Sequence, residues 1–345
     1  MKVLIIGLGS IGQRHLRNLR LLFGDELEIM AYRSIGKNIK ISENMTVENN
    51  VDLENAYRIK TYSDYSSILE QKPDVAIIAN PTRLHMSAAL ESANLGCHLF
   101  IEKPISTSLA EIDKLGSIVK EKQLIVMVGY QLRFHPCLQL IKELLGQRKI
   151  GALISVYAEF GEYLPNAHPY EDYRKGYAAR KDLGGGVLFS LSHEFDYLQW
   201  LFGMPKRLLA LGGKLSTLEI DVEDTSSILM ENVVDGRKLP IHIHLDFLQD
   251  PASRNFRIIG EKGIIFWDYY SNKVELQVGR RQNWETFDFN PFERNKLFLD
   301  EMSYFMNCIK MHKQTVVDIH EGIKSLRIAL AAKRSMETMT VIEDI

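Results

Sequence analysis

The chain has 345 residues, more than one compact core commonly holds, so two domains are expected. Its 42 Lys and Arg oppose 44 Asp and Glu, a net charge of −2 that singles out neither a nucleic acid nor an anionic membrane surface as main partner. Apolar residues make up 46%, yet no stretch approaches the ~18 consecutive apolar residues of a membrane span and no signal-peptide core follows Met1-Lys2. Cys97, Cys137 and Cys308 lie far apart in no metal-ligand spacing, and together these features favour a reduced cytoplasm.

Lys2-Val-Leu-Ile-Ile6 is a short apolar run that reads as a buried parallel strand, and the period of Ile11, Leu16, Leu19 and Leu22 behind it reads as a helix. Between them stand Gly7, Gly9 and Gly12. The spacing assigns Gly7 to turning the chain, Gly9 to close approach of a pyrophosphate, and Gly12 to packing helix against strand. The helix start at Ser10, Ile11 and Gly12 would hold phosphates with its N–H groups and positive dipole end. A second strand, Glu28–Arg33, ends about twenty residues on, where an NAD site places an acid on the ribose. Here Arg33-Ser34 stand there with Lys37 close by, which favours NADP, with NAD the alternative if Arg33 only stacks on adenine or faces solvent.

Residues 35–56 lack a clean period and read as an excursion at the sheet edge. Strands follow at Arg58–Tyr62, Asp74–Ala79, His98–Ile101 and Leu124–Val128, with helices at Ser66–Glu70, after Asn80-Pro81-Thr82-Arg83-Leu84-His85, and at Ser108–Lys122. This alternation is that of a doubly wound, mostly parallel sheet, a Rossmann domain over residues 1–130. From 131 to 345 the pattern changes. After helices at Pro136–Leu145 and from Val187 to near Phe202, strands at Leu153–Phe160, Leu208–Leu215, Thr225–Val233, Lys238–Phe247, Arg254–Gly260, Gly263–Trp267 and Lys273–Val278 predict an α+β domain with a large, mainly antiparallel sheet. Val234-Asp235-Gly236 and Glu261-Lys262-Gly263 mark its hairpins, and helices at Glu293–Met311 and His320–Met339 close the chain.

Glu102-Lys103-Pro104 follows a parallel strand at its carboxyl end, where this fold places its ligands, and a lysine there could hold a substrate hydroxyl or exchange a proton with it. The alternative is a surface lysine before a helix-starting proline. After Gly184-Gly-Gly186, the positions of Ser190, His193 and Asp196 at intervals of three set them near one helix face, so His193 is a candidate general base beside a carboxylate. A core histidine is the competing reading. His242 and His244 alternate on a strand with only Asp246 near, which does not favour a metal.

In order, the glycine loop with Arg14-His15, Asn80-Pro-Thr-x-x-His85, Glu102-Lys-Pro104, Gly129-Tyr-Gln-Leu-Arg133-Phe-His-Pro136 and the Gly-Gly-Gly…His…Asp segment resemble the Gfo/Idh/MocA family of NAD(P)-dependent oxidoreductases across essentially the whole chain. The resemblance implies cofactor contacts from Gly7, Gly9, Ser10, Ile11, Gly12, Arg33, Ser34, Asn80, Pro81, Thr82, His85, Glu102, Lys103 and Gln131. It makes Lys103 the residue that steadies or protonates the substrate oxygen, and His193 the proton acceptor. Members often carry an aspartate one turn before that histidine; Phe189 or Ser190 stands there, so Asp196 or Glu194 would have to support the imidazolium. Arg133, Ser190 and His193 are expected at the substrate, together with His168, Tyr173 and Arg174 from a segment rich in polyol-binding groups, with an irregular loop satisfying its own backbone as the alternative. The segment is similar to one in enzymes of bacterial surface-sugar synthesis. The implied activity is hydride transfer to or from a secondary alcohol of a sugar, amino sugar or nucleotide sugar, with a redox-neutral epimerase or lyase, or a non-catalytic dinucleotide binder, as rivals. A homodimer or homotetramer through the second domain's open-faced sheet is implied as well.

Overall fold

A computed structural model describes residues 1–33, 38–64 and 66–345, so Ser34 and Lys37 lie outside the described residues. The chain forms two compact units: Met1–Tyr130 with Asp182–Gly184 and Arg294–Ile323, and Gln131–Lys181 with Gly185–Glu293 and Lys324–Ile345. The compact units follow the expected division into 1–130 and 131–345 except for Asp182–Gly184 and Arg294–Ile323, which pack within the first.

In the first unit, β1 (Lys2–Ile6), α1 (Ser10–Phe23), β2 (Glu28–Tyr32), a hairpin of β3 (Ile39–Ile41) and β4 (Val47–Asn49), α2 (Leu53–Tyr57), β5 (Lys60–Tyr62), α3 (Ser66–Gln71), β6 (Val75–Ile78), α4 (His85–Asn94), β7 (His98–Glu102), α5 (Ile112–Glu121) and β8 (Val126–Gly129) follow in order. The parallel sheet runs β5-β2-β1-β6-β7-β8. Val3, Leu4, Ile5, Ala76, Ile77, Leu99, Phe100 and Ile101 have no solvent exposure, so these strands read as continuous apolar runs because both faces are covered. The strand order reverses between β1 and β6, and the crevice beyond their carboxyl ends is where such a sheet binds ligand. The hairpin and α2 occupy the stretch expected to carry no regular element. Helix α5 starts four residues later than Ser108, after Glu111 at φ 63°.

The segment Arg294–Ile323 joins this unit through specific bonds. Arg14 Nη1 donates to Asn295 Oδ1 at 3.0 Å on α10 (Asn295–Lys310), Thr315 Oγ1 donates to the Val126 carbonyl at 2.6 Å, and Val128 N–H donates to the Val317 carbonyl at 2.8 Å. The last two cover the outer edge of β8, which an unpaired sheet would leave open. Helix α11 (Ile319–Thr338) starts here and from Lys324 belongs to the second unit.

The second unit holds α6 (Pro136–Gly146), β9 (Leu153–Gly161), α7 (Leu164–Ala167), α8 (Val187–Ser190), α9 (His193–Phe202), and strands β10 (Arg207–Gly213), β11 (Thr225–Val234), β12 (Arg237–Asp246), β13 (Ser253–Gly260), β14 (Gly263–Asp268), β15 (Lys273–Val278), β16 (Glu285–Asp288) and β17 (Ile342–Glu343). Their sheet has the order β16-β15-β14-β13-β9-β12-β11-β10-β17, antiparallel except for β9 with β12. Asp235 at φ 50° and Gly236 at φ 75° form the β11–β12 turn, as the Asp-Gly pair requires. One face is buried by Ile228, Met230, Ile241, Ile243, Phe256 and Ile258; on the other, the facing residues Leu229 and Tyr157 remain more than half exposed. The fold class is therefore the expected one.

His135 caps α6: its Nδ1 accepts from Cys137 N–H at 3.2 Å, among Trp267, Tyr269 and Phe292. Burial, with help from the Arg254 charge, pushes its pKa down to about 4. The unfolded chain then binds the extra proton first as pH falls below the ordinary value near 6.5, so stability is lost on acidification and the loss is complete near pH 4. In urea unfolding at about pH 7 and pH 4.5, His135→Asn, which keeps a capping acceptor, should lose about 2 kcal/mol less than wild type. Parallel losses would contradict this origin.

Candidate active site

Each glycine of the first turn meets a different environment. A Cβ on Gly7, whose φ is +98°, would stand 2.8 Å from the Ala79 carbonyl oxygen, and one on Gly12 only 2.0 Å from the Gly7 oxygen. A Cβ on Gly9 would meet nothing within 4 Å. Gly7 and Gly12 are thus required by the chain itself, whereas Gly9 fronts open space at the start of α1. Among the described residues no side-chain cap is made at that helix start, so the N–H groups around Ser10 and Ile11 suit an anionic ligand. Arg33 follows β2; its backbone N–H donates to the Tyr62 carbonyl, and its guanidinium lies 3.4 Å from Asn38 Oδ1.

Asn80 and Pro81 follow β6 and lead through a single 3₁₀ turn, Thr82–Leu84, into α4. Among the described residues the buried Asn80 Oδ1 atom has no hydrogen-bond partner, an acceptor that a ligand donor would satisfy. His85 is buried and its ring lies between the Pro104 and Asn80 carbonyl oxygens at 2.9 and 2.8 Å. Its two ring nitrogens therefore face the protein's own backbone. Glu102 ends β7, its Oε1 2.6 Å from His15 Nε2, and half-buried Lys103 follows. These residues fit a dinucleotide: uncapped amides, open space over Gly9 and an unmatched acceptor at the switch point.

In the second unit, Gln131 and Arg133 stand on the 3₁₀ turn Gln131–Phe134, both buried. The long helix expected from Val187 to Phe202 is two helices. Leu191, at φ −100° and ψ 29°, leaves the helical region and ends α8, so Ser190 and His193 share no continuous helix, while His193 and Asp196 share α9. Asp196 has its Oδ2 and Oδ1 at 2.9 and 2.8 Å from Arg133 Nε and Nη2, both side chains being buried. Glu194 accepts from Arg254 Nε and Nη2 at 2.7 and 3.1 Å, and the Arg254 guanidinium lies 3.8 Å above the Phe160 ring. Both carboxylates flanking His193 are therefore paired with arginines.

Two contributors are absent from the sequence reading. Arg254 shares the inward parity of Phe256 and Ile258 on β13, and a charge in that phase is a signal that a buried partner exists. Glu223 accepts from Leu188 N–H at 3.3 Å and caps α8; burial pushes its carboxyl above the ordinary range. Any Cβ on Gly186 would stand 2.1 Å from Glu223 Oε1, which accounts for one of the three consecutive glycines. His168 Nδ1 is 3.3 Å from Glu171, the Tyr173 hydroxyl accepts from Glu219 N–H at 3.2 Å, and Arg174 pairs with Asp172 and Glu219 at 2.8 and 3.1 Å. These bonds run to acidic side chains of the same segment and to Glu219 outside it.

Comparison with known proteins completes the picture. Residues 1–130 match the oxidoreductase family with NAD-binding Rossmann fold, and residues 138–266 match the GFO/IDH/MocA C-terminal domain. The chain belongs to the Gfo/Idh/MocA oxidoreductase family. It is 24% identical over 355 aligned positions to myo-inositol 2-dehydrogenase of Thermotoga maritima, covering 98% of this chain and 96% of that protein. In structure it matches levoglucosan dehydrogenase in complex with NADH and levoglucosan, with TM-score 0.81, 18% identity and 99% of each chain covered. It likewise matches the WlbA dehydrogenase of Bordetella pertussis in complex with NADH and UDP-GlcNAcA, with TM-score 0.79, 22% identity, and 100% and 99% covered. As a Gfo/Idh/MocA member the protein is an oxidoreductase whose first unit is an NAD-binding domain. Among the described residues, no helix is long and apolar enough to cross a membrane.

Removing one partner of a buried ion pair strands the other charge, at a cost of about 3–5 kcal/mol, whereas replacing both by apolar groups is often near neutral. Arg254→Met should therefore destabilise the second unit by about that amount in urea unfolding, and Arg254→Met with Glu194→Leu should recover most of it. Additive losses would show that the pair is not coupled.

Proposed function

We propose that this family member transfers hydride between a nicotinamide dinucleotide and a secondary alcohol or ketone of a sugar, amino sugar or nucleotide sugar. The observation that carries the reading is Lys103, directly after β7 in an NAD-binding domain whose switch-point turns have the groups to hold a dinucleotide. Relatives named for inositol, and structural neighbours named for levoglucosan or holding UDP-GlcNAcA, support a polyol substrate. The substrate contacts come from the second unit, with Arg133, His168, Tyr173, Arg174, Ser190 and His193 as candidates.

In the oxidative direction, His193 takes the hydroxyl proton and the Lys103 ammonium steadies the negative charge that develops on that oxygen. When bound, the dinucleotide supplies the hydride acceptor, so the carbinol carbon loses two electrons as its C–O bond becomes a carbonyl. In reduction, His193 returns the proton to the same oxygen. Asp196, paired with Arg133, contributes through the placement of α9. Arg33 at the end of β2 favours NADP by offering a guanidinium to a 2′-phosphate. The half-exposed Leu229 and Tyr157 on the open sheet face support assembly of copies into a dimer or tetramer. Free, buried Cys97, Cys137 and Cys308 suit a reducing cytoplasm.

Lys103→Ala and His193→Ala should each reduce turnover by roughly 10² or more while leaving dinucleotide affinity nearly intact. Fluorescence titration of the same proteins should give tighter binding of NADPH than of NADH. Wild-type turnover in both variants would overturn the assigned roles, and equal or NADH-favouring affinities would overturn the preference for NADP.

A further inference from the structure

The tripeptide Glu102-Lys103-Pro104 is gripped at each end by a buried histidine, and the two histidines come from different helices. At one end His15, on α1, has no exposed surface, and its Nε2–H donates to Glu102 Oε1 at 2.6 Å. Among the described residues its buried Nδ1 has no hydrogen-bond partner, so the proton belongs on Nε2; the opposite tautomer would bury an unmatched donor. The other Glu102 oxygen accepts from the Lys103 backbone N–H at 3.2 Å. His15 thus reaches the lysine's own peptide group through one carboxylate.

At the other end His85, the first residue of α4, sits between the Pro104 and Asn80 carbonyl oxygens. A neutral imidazole has a single N–H to share between these two acceptors. Burial holds its pKa below the ordinary value against the pull of both carbonyls; Glu102 favours its charged form and Lys103 opposes it. Whichever carbonyl receives the proton, the ring ties the turn after β6 to the turn after β7. Each histidine also stands on the helix that follows a turn expected to hold the dinucleotide: His15 three residues after Gly12, and His85 five after Asn80.

We propose that His15 and His85 are positioning residues that fix the Lys103 turn, and with it the ε-amine, relative to the two turns that would receive the dinucleotide. The proposal rests on the reading of Lys103 as the group that steadies the substrate oxygen, and it adds the residues that act through it. His15 sets the amino end of the lysine peptide by way of Glu102, and His85 sets the carboxyl end by way of Pro104. The charged and titratable groups facing the bracket include Glu102 and Lys103 themselves and, from α1, Arg14, whose charge acts on Glu102.

The test is labelling of Lys103 by an amine-reactive ester in the full-length protein from about pH 6 to 10, quantified by peptide mass spectrometry. His15→Leu and His85→Leu should each move the Lys103 profile by about half a pH unit, about threefold in rate at a fixed pH, with exposed Lys114 and Lys122 unchanged. His15→Gln, whose amide can still donate to Glu102, should restore the wild-type profile. Superimposable profiles for wild type and the Leu variants, or a folded Gln variant that restores nothing, would overturn the proposal. Should His15→Leu fail to fold, His15→Asn, too short to reach Glu102, should give the same shift; failure of both to fold would make the histidine a folding requirement and also overturn the positioning role. Because labelling needs no turnover, a protein inactive on every polyol would refute the functional reading while the labelling profile still judged the bracket.

Discussion

Helix α9 takes two carboxylates, Glu194 and Asp196, into the interior of the second unit, and each meets an arginine in two-pronged geometry, from β13 and from the turn after β8 respectively. An unpaired carboxylate there would cost several kcal/mol, so the position of α9 is tied to those of Arg254 and Arg133. His193 opens the same helix and is therefore carried on a segment with little freedom to shift. The break at Leu191 belongs to this arrangement, since α8 is held separately by the Glu223 cap at its start. Buried ion pairs of this kind contribute less to net stability than to fixing one geometry, and a proton-transfer residue needs a fixed geometry.

The first unit meets the corresponding requirement with backbone. The reversal of strand order between β1 and β6 leaves a crevice, and the close approach of Gly7 to Ala79 and of Gly12 to Gly7 shapes its floor. Open space above Gly9 and the uncapped start of α1 give an anion a place to lie. Lys103 follows the neighbouring strand, so the turn that bears it is built on the same rigid sheet. The covered edge of β8 extends that rigidity through a segment nearly two hundred residues further along the chain.

Much of this was legible in the sequence for physical reasons. Buried parallel strands are near-continuous apolar runs, and antiparallel ones alternate, so β1, β6 and the strands from β11 to β15 announce themselves. The Asp235-Gly236 turn has its own signature. The break in the expected helix at Leu191 was not legible, because Val187, Leu188, Leu191, Phe195 and Leu198 keep a helical period through it, and apolar period does not report whether the hydrogen-bond ladder continues. Nor was the return of Arg294–Ile323 to the first unit, since its bonds to Asn18, Val126 and Val128 join residues remote in the chain. The partners of Glu194 and Asp196 lie about sixty residues away, and only the inward parity of Arg254 hints at one of them. In the loop with His168, Tyr173 and Arg174, composition indicated groups suited to polyols but not their bonds to Glu171, Asp172 and Glu219, because composition does not report which acceptors of the chain lie within reach.

The central claim is net hydride transfer on a sugar-like alcohol, and the direct measurement is the absorbance of reduced nicotinamide followed together with the carbonyl product. The substrate panel would comprise cyclitols, anhydrosugars and nucleotide sugars. One equivalent of reduced dinucleotide should appear for each equivalent of ketone formed with at least one member of the panel. Conversion of a sugar with no net change in dinucleotide redox state, or dinucleotide binding without conversion of any member, would contradict it.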